Sequence, residues 1–277
     1  MSVKAVFKKA SELDTKQRKE LFDIFERYYA GTTWSQFNDD LSEKDSVILL
    51  LDRKTGKFCG FSTLVSQRMK VSGKSLICVF SGDTVLEKKY WGSSALGIAF
   101  LSYLFLLKFK NPLEPVYWML ISKGYKTYLL MANNFGTHFP NNQVPTPPLE
   151  KKVMDEFYSA KFGQRYEAQS GIIRFHDCNN ACRVAENIAP VTSNMREANP
   201  LIRFFVDRNP HWQQGDELAG IAKMTLNMPF QYASKKWAGK MRNAQKNIIL
   251  QAPMTPQESE SRNGVAPESQ NAEAYAR

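Results

Sequence analysis

The stretch from Ser46 to Leu86, SVILLLDRKTGKFCGFSTLVSQRMKVSGKSLICVFSGDTVL, decides the fold of this chain. It holds three apolar runs separated by RKTGK and SGK, two short polar segments that each contain a glycine. Glycine supplies the positive φ that tight turns often require. Two tight turns that join three strands predict antiparallel pairing, so we expect a mostly antiparallel sheet.

Helical patterns flank this meander of strands. Residues 14–30 carry apolar side chains at helical spacing, and Asp14 with Gln17 forms a capping-box pattern at the start. After the meander, a Gly/Ser loop leads into the apolar segment 95–107. At roughly 13 residues this segment is shorter than the ~20 that cross a bilayer, so we expect a buried helix.

The next segments extend the pattern. We predict that VYWMLISKG at 116–124 continues as helix and that YKTYLLMA at 125–132 forms a strand. After a Pro/Asn-rich loop, a further helix ends in DEFYSAKF, and Gly163 stands at a left-handed cap position before strand-like residues. Together these patterns predict an α+β fold with a mixed, mostly antiparallel central sheet flanked by helices.

Beyond residue 178 the pattern is less regular. We predict a short helix that begins near Pro200, a strand at DELAGIAKM and a basic helix at 230–248. The last residues contain no Leu, Ile, Phe or Trp, which predicts disorder. The predicted organisation is a domain at 1–178, a C-terminal helical and strand extension at 179–250, and a disordered tail at 251–277.

The order helix, three antiparallel strands, Gly/Ser loop, helix, strand, helix, strand resembles the GCN5-related N-acetyltransferase (GNAT) superfamily over roughly residues 3–176. That family carries Arg/Gln-x-x-Gly-x-Gly/Ala before its central helix, where backbone N–H groups hold the pyrophosphate of acyl-CoA. KKYWGSSALG offers this pattern in two incomplete registers. An ordinary helix start with serine caps explains the same residues equally well. The donor-binding residues that the resemblance implies are Phe80, Lys88, Lys89, Gly92, Ser93, Ser94 and Ala95.

The resemblance also implies catalytic residues. The family places a tyrosine four residues before a Gly-Phe pair, and this tyrosine protonates the leaving thiolate. Here the order is Tyr158-x-x-x-Phe162-Gly163, with Phe and Gly exchanged. Tyr158 is therefore the candidate acid, Asp83 or Glu87 the candidate base, and a backbone N–H near Phe80 to Gly82 the oxyanion donor. A packing tyrosine and ordinary surface carboxylates are the open alternatives.

Cysteine and histidine patterns point away from metal chemistry. HDCNNAC places His176, Cys178 and Cys182 within seven residues, without the paired Cys-x-x-Cys spacing of structural metal sites, so we predict no metal. Four cysteines do not form a disulfide framework for a chain of 277 residues. Since the first residues also show no secretory leader pattern, we expect a cytoplasmic protein.

The positive charge of the chain is unevenly distributed. The formal net charge is +10, and between residues 218 and 257 there are six Lys or Arg but no Asp or Glu. Within this stretch, 230–248 interleaves basic and aromatic residues, which suits an anionic partner: an acyl carrier protein or a membrane surface. Nucleic acid ranks below both because no recognition motif accompanies the charge. A solvated helix packed by one face explains the same pattern.

These observations predict an acyltransferase. It would move an acyl group from acyl-CoA, or from an acyl carrier protein thioester, to an amine acceptor that is a small molecule or a peptide. The alternative is a non-catalytic binding module of the same fold at an anionic partner or membrane surface. The incomplete glycine pattern favours the module, whereas the strand order and Tyr158 favour the enzyme.

Overall fold

The computed structural model describes residues 2–175, 183–184 and 191–226. The predicted basic helix at 230–248, the predicted tail at 251–277, and the residues His176, Cys178 and Cys182 lie outside these ranges. Among the helices of the described ranges, none combines the length and the apolar composition needed to span a bilayer.

The predicted meander is present. Strands β3 (Ser46–Asp52), β4 (Phe58–Val71) and β5 (Lys74–Leu86) pair antiparallel in sequence order. The glycines at the two turns, Gly56 and Gly73, have φ values of 69° and 78°. These values lie in the left-handed region that glycine enters without steric cost, so the turn residues explain the pairing.

The N-terminal part adds one strand and two helices to the meander. Its elements are β1 (Val3–Lys9), α1 (Thr15–Phe25), β2 (Tyr29–Ala30) and α2 (Trp34–Ser42). The capping box of Asp14 and Gln17 is formed as predicted, although α1 ends five residues before residue 30. Helix α2 was not predicted; it begins at a second capping box, formed by Thr33 and Gln36. Phe25 of α1 and Phe37 of α2 pack with Phe61 of β4 in one apolar core, which also contains residues of β3.

The assignment of the next two segments was wrong. After α3 (Ala95–Lys110), residues 116–122 form strand β6 (Val116–Ser122) and residues 125–134 form helix α4 (Tyr125–Asn134). The side chains of β6 are buried on both faces of the sheet, which produces an unbroken apolar run that periodicity cannot separate from a buried helix. In α4, the buried residues Tyr125, Tyr128 and Met131 recur at a spacing of three, as on one helix face.

The remaining described elements complete the sheet. They are β7 (His138–Phe139), α5 (Pro148–Phe162), β8 (Tyr166–Glu167), β9 (Ile172–Ile173), β10 (Arg183–Val184), α6 (Ser193–Ala198), α7 (Pro200–Arg208) and β11 (Glu217–Met224). Gly163 ends α5 with a φ of 56° and a ψ of −130°, so its φ is positive but the left-handed cap conformation predicted for it is not formed. The strand predicted after it consists of β8 and β9, two residues each.

The central sheet has nine strands in the order β1-β3-β4-β5-β6-β11-β9-β8, with β7 paired to β11. Its pairs are antiparallel except β5 with β6, which run parallel. The fold is therefore α+β with a mostly antiparallel sheet flanked by helices, and the predicted fold class is confirmed. Strand β11 lies beside β6, so the sheet contains strands from before and after the domain boundary predicted at residue 178.

Two layers of helices cover the sheet. One core contains Leu104 of α3, Tyr128 of α4 and Phe205 of α7, which pack on one face. The other face is covered by α5 through Phe157 and Tyr158, and by α1 and α2 further along. Helix α3 is buried on its sheet-facing side alone, so the prediction of a buried helix holds for one face and fails for the other.

Candidate functional site

The parallel strands β5 and β6 separate near their carboxyl ends. Their pairing runs from Ile77 opposite Val116 to Ser81 opposite Leu120. Strand β5 then continues to Leu86, away from β6. At the last pair, the indole N–H of Trp118 donates to the Ser81 hydroxyl oxygen at 2.8 Å, which ties the strands together just before they part.

A β-bulge lies at this point of separation. On the other side of β5, Ser81 pairs with Leu64 and Thr84 pairs with Ser62, so Gly82 and Asp83 together oppose Thr63. A β-bulge bends the strand and redirects the side chains around it. Position 82 needs glycine because a Cβ there would lie 2.6 Å from Thr63 Oγ1. The bulge therefore depends on Gly82 and determines the direction of Asp83.

The carboxylate of Asp83 is half-buried among charges from three other parts of the chain. Burial raises its pKa, the negative charges of Asp40 and Glu217 raise it further, and Lys123 and Lys44 oppose the shift. The resulting pKa of Asp83 is about 6. A carboxyl group that titrates near neutrality is ionised at physiological pH and still holds a proton well, as a general base must.

Two ion pairs make up the surroundings of Asp83. Lys44, just after α2, contacts Asp40 at 2.5 Å, and Lys123, just after β6, contacts Glu217 at 3.1 Å. Glu217 is 2% exposed, and burial raises the pKa of its carboxyl group. Glu217 Oε2 and Thr63 Oγ1 are buried without a hydrogen-bond partner among the described residues. Each of these atoms therefore carries the cost of a buried polar group without a hydrogen bond.

Sequence analysis identified Asp83 but missed Asp40, Lys44, Lys123 and Glu217. Asp40 lies in α2, Lys44 and Lys123 lie just after α2 and β6, and Glu217 begins β11, so the tertiary fold brings together residues that are far apart in the sequence. Glu217 carried one usable signal: Asp216 and Glu217 are consecutive acids at the start of an apolar strand, where a buried charge requires a partner.

Glu87, the second candidate base, directly precedes the predicted donor loop and is held by ion pairs. Its carboxylate contacts Arg27 at 2.7 Å and Lys89 at 3.2 Å. The hydrogen bond and charge of Glu87 raise the pKa of Lys89. The backbone N–H of Lys88 donates to the Tyr28 hydroxyl at 2.7 Å, and the Lys88 side chain is exposed. Thus Glu87 and Asp83, the two predicted bases, have different charged neighbours.

The helix start after this loop is open. Gly92 has a φ of 88°, and a Cβ at Gly92 or Gly97 would meet no atom within 4 Å. The Ser93 hydroxyl accepts from the Ala95 N–H at 3.3 Å, and Ser94 is the N-cap without a side-chain cap. The first N–H groups of an α-helix have no intrahelical acceptor and attract anions. The geometry at Gly92 to Ala95 therefore leaves room for a phosphate beside helix N–H groups.

Phe80 lies just before the separation. Its ring is buried against Phe157 and Phe162, and the Lys161 ammonium lies 4.7 Å from the ring centroid. Its backbone is placed between Val65 of β4 and Met119 of β6. The predicted oxyanion donor is a backbone N–H between Phe80 and Gly82. The β5 backbone leaves the register with β6 after Ser81, so Gly82 is the residue of this range that lies at the gap between the two strands.

Tyr158 is fully buried between two strands. Its hydroxyl lies 2.9 Å from the Leu120 carbonyl oxygen and 2.6 Å from that of Gly220, so it links β6 to β11. Burial raises its pKa well above the ordinary tyrosine value. The charges that act on Tyr158 are those of Tyr166 and Cys78, which differ from those that act on Asp83. The structure does not bring the two residues into one charge cluster.

Histidines and cysteines do not converge in the described residues, which contain no group of three metal-ligating side chains. The His138 ring is buried and bonded to the Phe135 carbonyl oxygen and the Asn141 amide. Cys59 and Cys78 are buried free thiols whose pKa values are raised by burial.

Comparisons with known proteins give structural matches alone. No family model matches the sequence, and no curated protein matches it. A probable N-acyltransferase from Enterococcus faecalis matches 46% of this chain and 31% of its own, with 16% identity and a TM-score of 0.34. N-myristoyltransferase from Saccharomyces cerevisiae, solved with myristoyl-CoA, matches 42% of this chain and 30% of its own, with 14% identity and a TM-score of 0.31. The chain thus spans less than a third of the length of either protein.

A GNAT family N-acetyltransferase from Escherichia coli, solved with CoA, matches 49% of this chain and 69% of its own. The identity is 14% and the TM-score 0.33. These three matches are to acyl- and acetyltransferases.

Replacing Tyr158 by Phe separates packing from catalysis. If the hydroxyl serves to join β6 and β11, Tyr158→Phe lowers the free energy of unfolding by about 1–3 kcal/mol, because it removes a buried hydrogen bond from the hydroxyl to a backbone carbonyl oxygen. Denaturant unfolding measures this change. Tyr166→Phe is the matched control, since that hydroxyl donates to the half-exposed Asp155. Unchanged stability in Tyr158→Phe, together with lost turnover, would assign the hydroxyl to catalysis.

Proposed function

We propose that this protein is an N-acyltransferase that moves an acyl group from acyl-CoA to an amine. The observation that carries the proposal is the placement of Asp83 at the bulge where β5 leaves β6, with a pKa of about 6. The gap offers backbone groups, a base and buried polar atoms within one small region. The likeness of fold to acyltransferases is consistent with this chemistry.

The proposed reaction follows from the groups at the gap. Asp83 takes a proton from the neutral acceptor amine as that amine attacks, directly or through water. The amine nitrogen bonds to the thioester carbonyl carbon, whose oxygen becomes negative and accepts a hydrogen bond from backbone N–H near Gly82. The C–S bond breaks when this intermediate collapses, and the leaving thiolate takes up a proton. The products are an amide and free CoA.

Two groups are candidates for the proton donor to the thiolate. Tyr158 is the residue that the resemblance implies. Lys161 is the second candidate: partial burial lowers its pKa, and it shares Lys44 and Asp40 as charged neighbours with Asp83. An acid works best when its pKa is near the operating pH. The direction of the two pKa shifts therefore favours Lys161 over Tyr158.

The donor is proposed to bind at the start of α3. The pyrophosphate would contact N–H groups from Gly92 to the first turn, with the side chains of Lys88 and Lys89 as counter-charges. Lys126 of α4 adds a cation at this end, since its ammonium lies 4.6 Å from the Trp91 ring centroid. An acyl carrier protein thioester is the alternative donor.

A non-catalytic module is the second candidate function. The observation in its favour is that Glu87 already pairs with Lys89, so part of the positive charge of the donor loop is neutralised. In such a module the open helix start would bind an anionic partner without subsequent chemistry.

Donor binding is tested by Gly92→Glu. A glutamate at this position adds bulk and negative charge at the proposed phosphate site, so we expect at least a tenfold loss of affinity for CoA and acyl-CoA in calorimetric titration. Gly73→Glu is the matched control, because Gly73 also has a positive φ, 78°, and a Cβ there would likewise meet no atom within 4 Å. Equal affinity in the two variants contradicts the donor site.

The role of Asp83 is tested by the pH dependence of turnover. A base must be ionised, so kcat should rise with pH through an inflection near 6, and Asp83→Asn should lower it by about 100-fold or more at pH 8. Release of the CoA thiol in the presence of a panel of primary amines measures this. Donor affinity by calorimetry should be retained.

Folding is the control for Asp83→Asn. Because the folded state raises the pKa of Asp83, ionisation of this group costs stability as pH rises through the interval between the unfolded value and about 6. Asparagine removes that cost, so the variant should be at least as stable as the parent at pH 8. Retained turnover in a folded Asp83→Asn protein contradicts the proposed base.

A further inference from the structure

One end of the sheet combines exposed apolar side chains with a surplus of basic ones. The β4–β5 turn lies there, since Val71 pairs with Lys74. The start of β6 and the last residues of β11 lie at the same end, because Val116 pairs with both Ile77 and Met224. The end of α3 joins them through the loop to β6. We call this surface the basic end and define it by Arg68, Lys70, Lys74, Leu106, Lys108, Phe109, Lys110, Leu113 and Lys223.

The apolar side chains of the basic end are strongly exposed. Leu113 is 95% exposed, Phe109 is 67% exposed and Leu106 is 55% exposed. On α3 the sheet-facing side is already filled by buried residues, including Leu104. A surface helix normally carries polar residues on its outer side, and an exposed apolar cluster rimmed by polar groups marks an interaction surface.

The basic residues have little compensating negative charge. From Leu104 to Leu113 the sequence contains Lys108 and Lys110 and no acidic residue. Lys70, Lys74 and Lys110 are exposed. The carboxylate among them, that of Glu114, already accepts hydrogen bonds from Arg68 at 3.1 Å and from Ser75 at 2.8 Å. The positive potential of this surface therefore needs an anionic partner.

The shape of the basic end selects the kind of partner. A leucine that is 95% exposed projects from the surface, so a protein partner would need a matching cavity, whereas the hydrocarbon boundary of a bilayer accepts projecting side chains without one. Nucleic acid supplies phosphates but no hydrocarbon for Phe109 and Leu113. A bilayer with anionic lipids supplies both the apolar layer and the negative charge.

We propose that the basic end docks on an anionic lipid bilayer. Phe109 and Leu113 enter the headgroup boundary, and Lys70, Lys74 and Lys110 contact lipid phosphates and carboxylates. Along β5, Lys74 and Asp83 are nine residues apart, which places the candidate site roughly 30 Å from the membrane surface. The docked protein therefore keeps the Asp83 end in water, and the surface serves to localise the protein whether or not it catalyses acyl transfer.

The electrostatic part is tested by co-sedimentation of the full chain with phosphatidylcholine vesicles, with and without phosphatidylserine as a third of the lipid. We expect binding to the anionic vesicles that weakens with salt. Lys70→Glu, Lys74→Glu and Lys110→Glu combined should weaken it about 100-fold or more, since each basic residue contributes roughly a fivefold change. The matched control combines Lys16→Glu, Lys54→Glu and Lys57→Glu, which are exposed and change the net charge equally.

The apolar part is tested by Phe109→Ser combined with Leu113→Ser. This variant should lose about tenfold or more in vesicle affinity, since burial of each apolar side chain favours binding. Val144→Ser replaces another exposed apolar residue, outside the basic end, and should bind as the parent does. In Leu113→Trp, the tryptophan emission should shift to shorter wavelength when anionic vesicles are added.

Four results would overturn the proposal. The first is no binding of the parent protein to anionic vesicles. The second is equal binding of the two triple-charge variants, which would assign vesicle binding to another segment such as 230–248. The third is unchanged affinity in the double serine variant, and the fourth is a saturable complex with RNA or an acidic protein that displaces the vesicles.

Discussion

The parallel pairing of β5 with β6 is the constraint on which the rest of the molecule depends. Parallel neighbours cannot be joined by a tight turn, so the chain must cross from the carboxyl end of one strand to the amino end of the next, and here it does so through α3. The crossover places the start of α3 at the end of the sheet where β5 finishes. The N–H groups at the start of α3, Asp83 and the gap beyond Ser81 thus share one end because of the connection alone.

The difference between strands joined by a tight turn and strands joined by a crossover explains how far the sequence predicts the fold. The meander was predictable because its turns, at Gly56 and Gly73, lie between apolar runs and specify the local chain path. Strand β6 was not predictable in this way, because a strand buried on both faces loses the alternation that identifies strands. Its pairing with β5 and β11 is formed by residues far apart along the chain, and no local pattern contains that information.

The residues of the candidate site also differ in how far the sequence predicts them. Asp83 was recognisable because it stands at the end of a predicted strand, and Glu87 because it follows soon after. The structure separates them: Glu87 is held by Arg27 and Lys89, whereas Asp83 lies among ion pairs supplied by α2 and β11. Residues that act on a buried carboxylate through space can come from any element, so a single sequence identifies the carboxylate and misses its partners.

The effect of the lysines depends on where the fold places them. Near Asp83 the lysines pair with the acids Asp40 and Glu217, and their effect is to adjust a pKa. At the basic end the lysines face solvent beside apolar side chains, and their effect is a surface potential. Counting charge along the sequence draws attention to 230–248, yet the basic end is assembled from β4, β5, α3 and β11. Lysines therefore have different effects at the two ends of one sheet. Burial decides whether the charge of a lysine interacts with a neighbouring residue or with a partner outside the molecule.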